Sequence, residues 1–319
     1  MQAKYPKEEV LIKSLFKYNM NSAEWVFISH NENIIYKVKY NNQFFCYRLH
    51  LSVSNIDFSI YGSNFHSLSS LRNEMEILNV FAKNIQYMGD KKMQTPIKNI
   101  DNEYISIVDN IPITVLKWVD GIDFDSIESV SNDDLISIGE LIGNLHNISK
   151  STDFSNTFDT YIYNQKTVER MQKKIEFAHQ LGIYDESHYI TLKNASKELI
   201  VRMNELNNFT GSFGLIHADL SKSNILKQNN NVVPIDFCLC GYGYYYQDLG
   251  NIFLEFYSER EQQLICNGYF KATGIYPEKR YTDAFMVYHT LLYLSCNISN
   301  DIDISWLPTD LFAFCTKGN

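Results

Sequence analysis

Three oxygen-bearing side chains stand close together in one polar stretch of the chain. Ile216-His217-Ala218-Asp219-Leu220-Ser221-Lys222-Ser223-Asn224-Ile225-Leu226 is followed by Pro234-Ile235-Asp236-Phe237, so Asp219, Asn224 and Asp236 are spaced by five and twelve residues. Phosphoryl transfer needs such a set. One carboxylate orients an acceptor hydroxyl and takes its proton, while an amide oxygen and a second carboxylate hold the Mg²⁺ that offsets the triphosphate charge. Hard oxygen ligands suit magnesium, whereas zinc favours His or Cys. Ordinary turn residues would have no reason to keep a His-x-Asp-x-x-x-x-Asn order ahead of an Ile-Asp-Phe.

The elements around this stretch divide in two. Residues 8–17 have helical spacing at Val10, Leu11, Ile12, Leu15 and Phe16. The period then becomes two: residues 33–40 and 43–51 are β-rich runs separated by Asn41 and Asn42, which tolerate the positive φ of a tight hairpin turn. Residues 68–84 return to helical spacing through Leu71, Met75 and Leu78, with Ser69 or Ser70 as the cap. Residues 103–119 read as a second hairpin turning at Asp109-Asn110. Past Trp118-Val119-Asp120-Gly121 the chain turns helical. Helices are expected over 133–149, behind two acids, and within 163–181, 187–207, 247–272 and 279–297. Residues 214–243 interrupt them with short β-like pieces among polar turn residues, too irregular for a helix.

Composition narrows the class. At 319 residues the chain suits two domains or two lobes around a cleft, and 45% hydrophobic with 20% charged residues excludes disordered, collagen-like and coiled-coil chains. The best apolar run, Met286 to Cys296, contains His289 and is too short for a bilayer, which needs about 20 apolar residues. The first ten residues lack the apolar run of a signal peptide, so the expectation is a cytoplasmic protein without membrane partners. Six scattered cysteines without C-x-x-C or zinc-ligand spacing read as free thiols. A net charge of −9 argues against nucleic acid. Residues 1–120 carry 13 Lys+Arg against 12 Asp+Glu, and residues 121–319 carry 15 against 25, so the second half is the acidic one.

The Asp219-to-Asn224 loop and the following Ile-Asp-Phe resemble the catalytic loop and metal motif of the aminoglycoside phosphotransferase and choline kinase superfamily. The resemblance implies an α+β, bilobal, protein-kinase-like fold. Residues 1–117 would form an N-terminal nucleotide-binding lobe with an antiparallel sheet and helices, 118–121 a hinge, and 122–319 a larger, mostly helical catalytic and substrate-binding lobe. Asn33-Ile34-Ile35-Tyr36 resembles the first hairpin, Tyr47-Arg48-Leu49 the strand whose basic residue meets the nucleotide phosphates, and Glu74 the helical acid that pairs with it. Leu116 to Gly121 resembles the hinge, GELIGNLH at 139–146 the helix opening the second lobe, and Asp248-Leu249 the element whose aspartate braces the catalytic loop.

On this resemblance Asp219 is the catalytic base, Asn224 and Asp236 complete the catalytic set as metal ligands, and Asn33, Arg48, Glu74, Lys117, Val119 and Lys222 bind the cofactor, ATP with Mg²⁺. Arg48 and Glu74 also read as a solvated strand residue and a surface helix residue, with Glu76 an alternative partner, and Lys222 as a solvated loop lysine. His217 reads as a structural support of the loop, with a proton shuttle as the alternative, and Asp248 as a brace, with a ligand role as the alternative. Three features depart from the family's pattern: a glycine-poor turn at Ser29-His30-Asn31-Glu32, arginine instead of lysine at 48, and Cys238 where an acid is common. The implied activity is transfer of a phosphoryl group to the hydroxyl of a small molecule. A cationic acceptor would suit Asp301, Asp303 and Asp310 near Trp306, which also read as a merely soluble acidic surface, and Tyr242, Tyr244, Tyr245 and Tyr246 read as a sugar-stacking wall or as core. The rival readings are a protein Ser/Thr kinase and a catalytically weak nucleotide-binding module.

Overall fold

Period-two runs become strands and 3.6-period runs become helices across most of the chain. A computed structural model describes residues 5–30, 33–51, 57–62, 67–85, 93–152, 160–229 and 231–298. The fold is α+β. The described residues form two compact units, one from 5–30, 33–51, 67–85 and 93–120, the other from 57–62, 121–152, 160–229 and 231–298.

The first unit opens with α1 (Glu8–Lys17), at the predicted bounds. Then come β1 (Glu24–His30), β2 (Ile34–Tyr40) and β3 (Gln43–Leu49), α2 (Leu68–Ile85), β4 (Pro96–Ile97), β5 (Ile105–Val108) and β6 (Ile111–Lys117). The sheet runs in the order β1-β2-β3-β6-β4, with β5 pairing β6, and every pairing in it is antiparallel. Both predicted hairpin turns form. Asn41 and Asn42 have φ of 49° and 60°, and Asp109 and Asn110 have 49° and 63°, so each pair supplies two successive left-handed residues that match the twist of the strands. β1 is not legible as a period-two run, because Trp25-Val26-Phe27-Ile28 is continuously apolar; in the sheet Val26 and Ile28 are exposed while Trp25 and Phe27 are half-buried. The cap of α2 also needs correction: Ser67, not Ser69 or Ser70, accepts the Ser70 amide at 3.1 Å, because the helix begins one residue before Ser69. Behind the sheet, Leu11, Tyr36, Tyr47, Leu49 and Ile113 build one apolar core with α1.

The second unit contains β7 (Ile122–Asp123), α3 (Asn132–Ser151), β8 (Tyr161–Ile162), α4 (Gln165–Gln180) and α5 (Glu186–Leu206). It continues with β9 (Phe213–Ile216), β10 (Ile225–Gln228), β11 (Asn231–Pro234), β12 (Gly241–Tyr244), α6 (Tyr246–Glu255), α7 (Glu259–Thr273) and α8 (Lys279–Cys296). The helical pattern over 247–272 is two helices, because Ser258 starts a new one: its hydroxyl takes the Glu261 amide while the Glu261 carboxylate takes the Ser258 amide. The irregular stretch resolves into two small sheets, β11-β10-β7 and β8-β12-β9. A 3₁₀ turn at Phe58–Tyr61, between β3 and α2 in sequence, packs in this helical unit. The Asp57 amide donates to Cys296 O at 2.9 Å, Arg170 Nε donates to Ile60 O at 2.8 Å, and Ile60 is fully buried. Among the described residues no helix is long and apolar enough to cross a membrane.

Candidate active site

The predicted chemistry collects at the junction of β9 and β10. Asn224 turns its amide nitrogen onto Asp219, donating to the carboxylate Oδ2 and to the backbone oxygen, both at 2.9 Å. The Asn224 Oδ1 therefore points away from Asp219 as an acceptor. Asp236 follows Ile235, whose amide donates to Asn224 O at 2.9 Å and whose carbonyl accepts from His217 Nε2 at 3.0 Å. Five residues of loop and two strands of hairpin thus bring the metal-motif aspartate to the same short framework as Asn224.

His217 ties this framework together. Its Nδ1 accepts the Asp219 amide at 3.3 Å and its Nε2–H donates to Ile235 O, the pattern of a neutral imidazole. Burial lowers its pKa, with nearby carboxylates and the Ile235 carbonyl opposing, so the neutral form is the one held. Beneath it, Asp248 on α6 accepts the His217 amide at 3.1 Å and the Ala218 amide at 2.8 Å. Those two bonds hold Ala218 at φ 68°, a left-handed conformation that costs a non-glycine residue on the order of 1–3 kcal/mol; Asp236 is also left-handed at φ 61°. Asp248 is in turn held by His146 of α3, whose Nε2 lies 2.9 Å from Oδ2 and whose Nδ1 lies 3.0 Å from the Tyr269 hydroxyl. Burial opposes charge on Asp248, yet the hydrogen bonds from His146 and from the loop amides outweigh it and keep the carboxyl below its ordinary pKa, while burial keeps His146 neutral.

His146 and Tyr269 escaped the residue-level reading. The available signal was a histidine one turn past Ile142 on the apolar stripe of α3, a polar group on a buried face that must find a partner there.

The second predicted group lies in the first unit. Arg48 on β3 and Glu74 on α2 form an ion pair at 2.7 Å, with side chains 5% and 3% exposed, and Arg48 Nε also donates to Thr114 Oγ1 at 3.1 Å. The pair joins Arg48 to Glu74, not Glu76, which lies on another side of the helix and is half-buried. Asn33 is buried in the bend just before β2. At the end of β6 the amides of Lys117 and Trp118 donate to Thr95 O and Phe44 O, at 2.8 and 2.9 Å; the Lys117 side chain is exposed and Val119 is buried. Lys222, in the second unit, stands over the Phe256 ring at 4.5 Å.

The remaining features divide. Tyr244 and Tyr245 pack in the core of the second unit, Tyr244 against Phe213 and Phe285 and Tyr245 against His146, and Tyr246 is partly buried against Tyr281. Cys238 is buried in the same core, so it brings no oxygen ligand to the neighbourhood of Asp236. Asn31 and Glu32 of the glycine-poor turn, and Asp301, Asp303, Trp306 and Asp310, lie outside the described residues. Among the described residues no group of three or more His, Cys, Asp or Glu is placed to hold a metal. The chemistry of Asn224 and Asp236, two hard oxygen donors, is compatible with magnesium, which binds few protein oxygens and completes its shell with phosphate and water.

Comparison with known proteins bears on the family and the fold. The family model described as APH, the phosphotransferase enzyme family, matches residues 41–284. No curated protein matches the chain. Among solved structures, the microcompartment-associated aminopropanol kinase is similar over 97% of this chain and 94% of its own, at 20% identity and a TM-score of 0.70. The amicoumacin kinase hAmiN, solved with AMP-PNP, Ca²⁺ and Ami, is similar over 98% and 91%, at 17% identity and a TM-score of 0.69. The aminoglycoside phosphotransferase APH(4)-Ia, solved with ADP and hygromycin B, is similar over 98% of both chains, at 13% identity and a TM-score of 0.64. At these identities the likeness is one of fold, and the family match over 41–284 carries the assignment: the chain belongs to the phosphotransferase enzyme family.

Proposed function

We propose that the chain is an ATP-dependent, Mg²⁺-requiring kinase that transfers the γ-phosphoryl group to a hydroxyl of a small molecule, an amino alcohol, amino sugar or related cationic compound. The observation that carries this reading is the Asp219–Asn224 contact, in which the amide nitrogen is spent on the carboxylate and the amide oxygen is turned outward. One side chain is thereby arranged as a base and its neighbour as a hard oxygen donor. The acidic second half and the amine-bearing compounds named for the structural relatives support a cationic acceptor.

In this reading Asp219 orients the acceptor hydroxyl and accepts its proton as the acceptor oxygen bonds to the γ-phosphorus and the bond to the bridging oxygen breaks, releasing ADP. Asn224 and Asp236 would hold magnesium, which supplies charge compensation to the triphosphate when bound. Arg48, held in place by Glu74, serves the nucleotide phosphates, and Asn33, Lys117 and Val119 lie in the segments that would meet the rest of the nucleotide. Lys222, in the same loop, would meet the transferred phosphoryl group by turning from the Phe256 ring.

A thermal-shift screen tests the reading first: ATP with Mg²⁺ is expected to raise the melting temperature, and a panel of 1-amino-2-propanol, aminoglycosides and neutral sugars to identify the acceptor. Asp219→Asn is then expected to lower turnover by about 10²–10⁴-fold while ATP affinity stays close to wild type. Comparable turnover in Asp219→Asn would remove the base assignment. ATP consumption stimulated by a protein substrate but by no small hydroxyl compound would favour the protein-kinase reading instead.

A further inference from the structure

Behind the catalytic loop, the second unit carries a pocket of 240 Å³, open to solvent at Phe209, Thr210 and Gly211, that the proposed chemistry does not use. Its walls come from the ends of α3, α5 and α7 and the starts of α6 and α8, and include Phe209, Tyr245, Tyr246, Tyr269 and Tyr281 with Lys150 beside them. A dry cavity of about 150 Å³ already takes benzene, so this one admits a single ring with a short arm.

The charges at the cavity are asymmetric. Glu278 also lines it, but its carboxylate already accepts Arg280 Nε at 2.9 Å. The Lys150 ammonium stands over the Tyr245 ring, 4.8 Å from its centroid, and makes no ion pair with any described residue. A ligand that stacks on the tyrosines and places an anionic group at Lys150 would satisfy both features, since aromatic rings prefer ring partners and a charged hydrogen bond is among the stronger polar contacts.

Two walls of the cavity are also supports of the loop. Tyr245 packs on His146 at 4.4 Å between ring centroids, and the Tyr269 hydroxyl lies 3.0 Å from His146 Nδ1. His146 holds Asp248, and Asp248 holds the amides of His217 and Ala218. A second link runs from the Tyr245 hydroxyl to Ser149 Oγ at 3.1 Å, and Ser149 Oγ accepts the Leu215 amide on β9, which leads into the loop. Filling the cavity restrains both tyrosines, and through them the backbone that carries Asp219.

We propose that this cavity is an effector site for a small aromatic monocarboxylate, whose binding stiffens the catalytic loop through Tyr245, Tyr269, His146 and Asp248. The probe is 3-phenylpropionate, with phenethylamine as a cation of similar size. Titration calorimetry on the full chain is expected to show 3-phenylpropionate binding at least tenfold tighter than phenethylamine, a loss of about tenfold in Lys150→Met, and no binding in Thr210→Trp, which fills the mouth. Thermal melts of both variants establish that they fold. Hydrogen exchange at the His217 and Ala218 amides is expected to slow several-fold on addition of 3-phenylpropionate to wild type and to stay unchanged in Thr210→Trp. Absence of binding, equal binding of the two probes, indifference to Lys150→Met, or unchanged exchange on binding would each overturn the proposal. None of these readouts depends on phosphotransfer, so failure here leaves the proposed reaction standing, and failure of that reaction leaves this site to be judged by its own measurements.

Discussion

Asp219 owes its placement to residues that do no chemistry. The left-handed φ of Ala218 re-aims the chain just before Asp219, and the cost of that conformation is offset by two charge-assisted hydrogen bonds to Asp248. Asp248 in turn depends on a neutral His146, so the loop is braced by a buried polar chain whose every link has a named partner. Arg48 and Glu74 illustrate the opposite risk. A buried ion pair contributes little net stability while intact, but losing one member leaves a charge stranded in low dielectric. Glu74→Ala is therefore expected to lower the unfolding free energy by about 3–5 kcal/mol, and Glu74→Gln by less because an acceptor for Arg48 remains. Urea denaturation midpoints of the two variants check this. Equal stability of Glu74→Ala and wild type would mean that the pair is not the anchor of Arg48.

At the level of elements, α3 and α7 pack backbone to backbone, and glycines make it possible. A Cβ at Gly139 would overlap the Ile265 carbonyl oxygen, and one at Gly268 would overlap the Ile136 carbonyl oxygen. Backbone cannot step aside as a flexible side chain can. Gly139→Ala should separate the helices and destabilise the fold by roughly 1–3 kcal/mol or more, read as a drop in melting temperature. Gly182→Ala makes a useful comparison, because its added Cβ meets open space and only the strain of φ 75° remains. Since α3 also carries His146, the displacement in Gly139→Ala should reach the loop, and its effect on turnover should exceed that of Gly182→Ala. The predicted stripe on α3 holds, whereas the close approach at Gly139 depends on α7, which the local pattern does not contain.

For the molecule as a whole, three buried histidines link stability to acid. Burial lowers the pKa of His289 to about 4 and moves His146 and His217 in the same direction. Between the ordinary value near 6.5 and about 4, the unfolded chain takes up a proton at position 289 that the folded chain refuses, so stability is full above that window and falls as pH drops through it. His289 alone is expected to remove about 2 kcal/mol by pH 5. Denaturation of wild type and His289→Phe at neutral pH and at pH 5 measures it, and a pH slope no shallower in the variant would show that His289 does not contribute. What the amino-acid sequence determined alone was local: the helix and strand periods, the two asparagine-rich and aspartate-asparagine turns, and the order of Asp219, Asn224 and Asp236, because spacing and intrinsic φ preference are properties of neighbouring residues. Only the tertiary structure decided that Glu74 and not Glu76 meets Arg48, that residues 57–62 pack with the helical unit, that His146 stands under the loop, and that five helix ends leave a cavity behind it. Those facts depend on contacts between residues tens to more than a hundred positions apart, which no local pattern encodes.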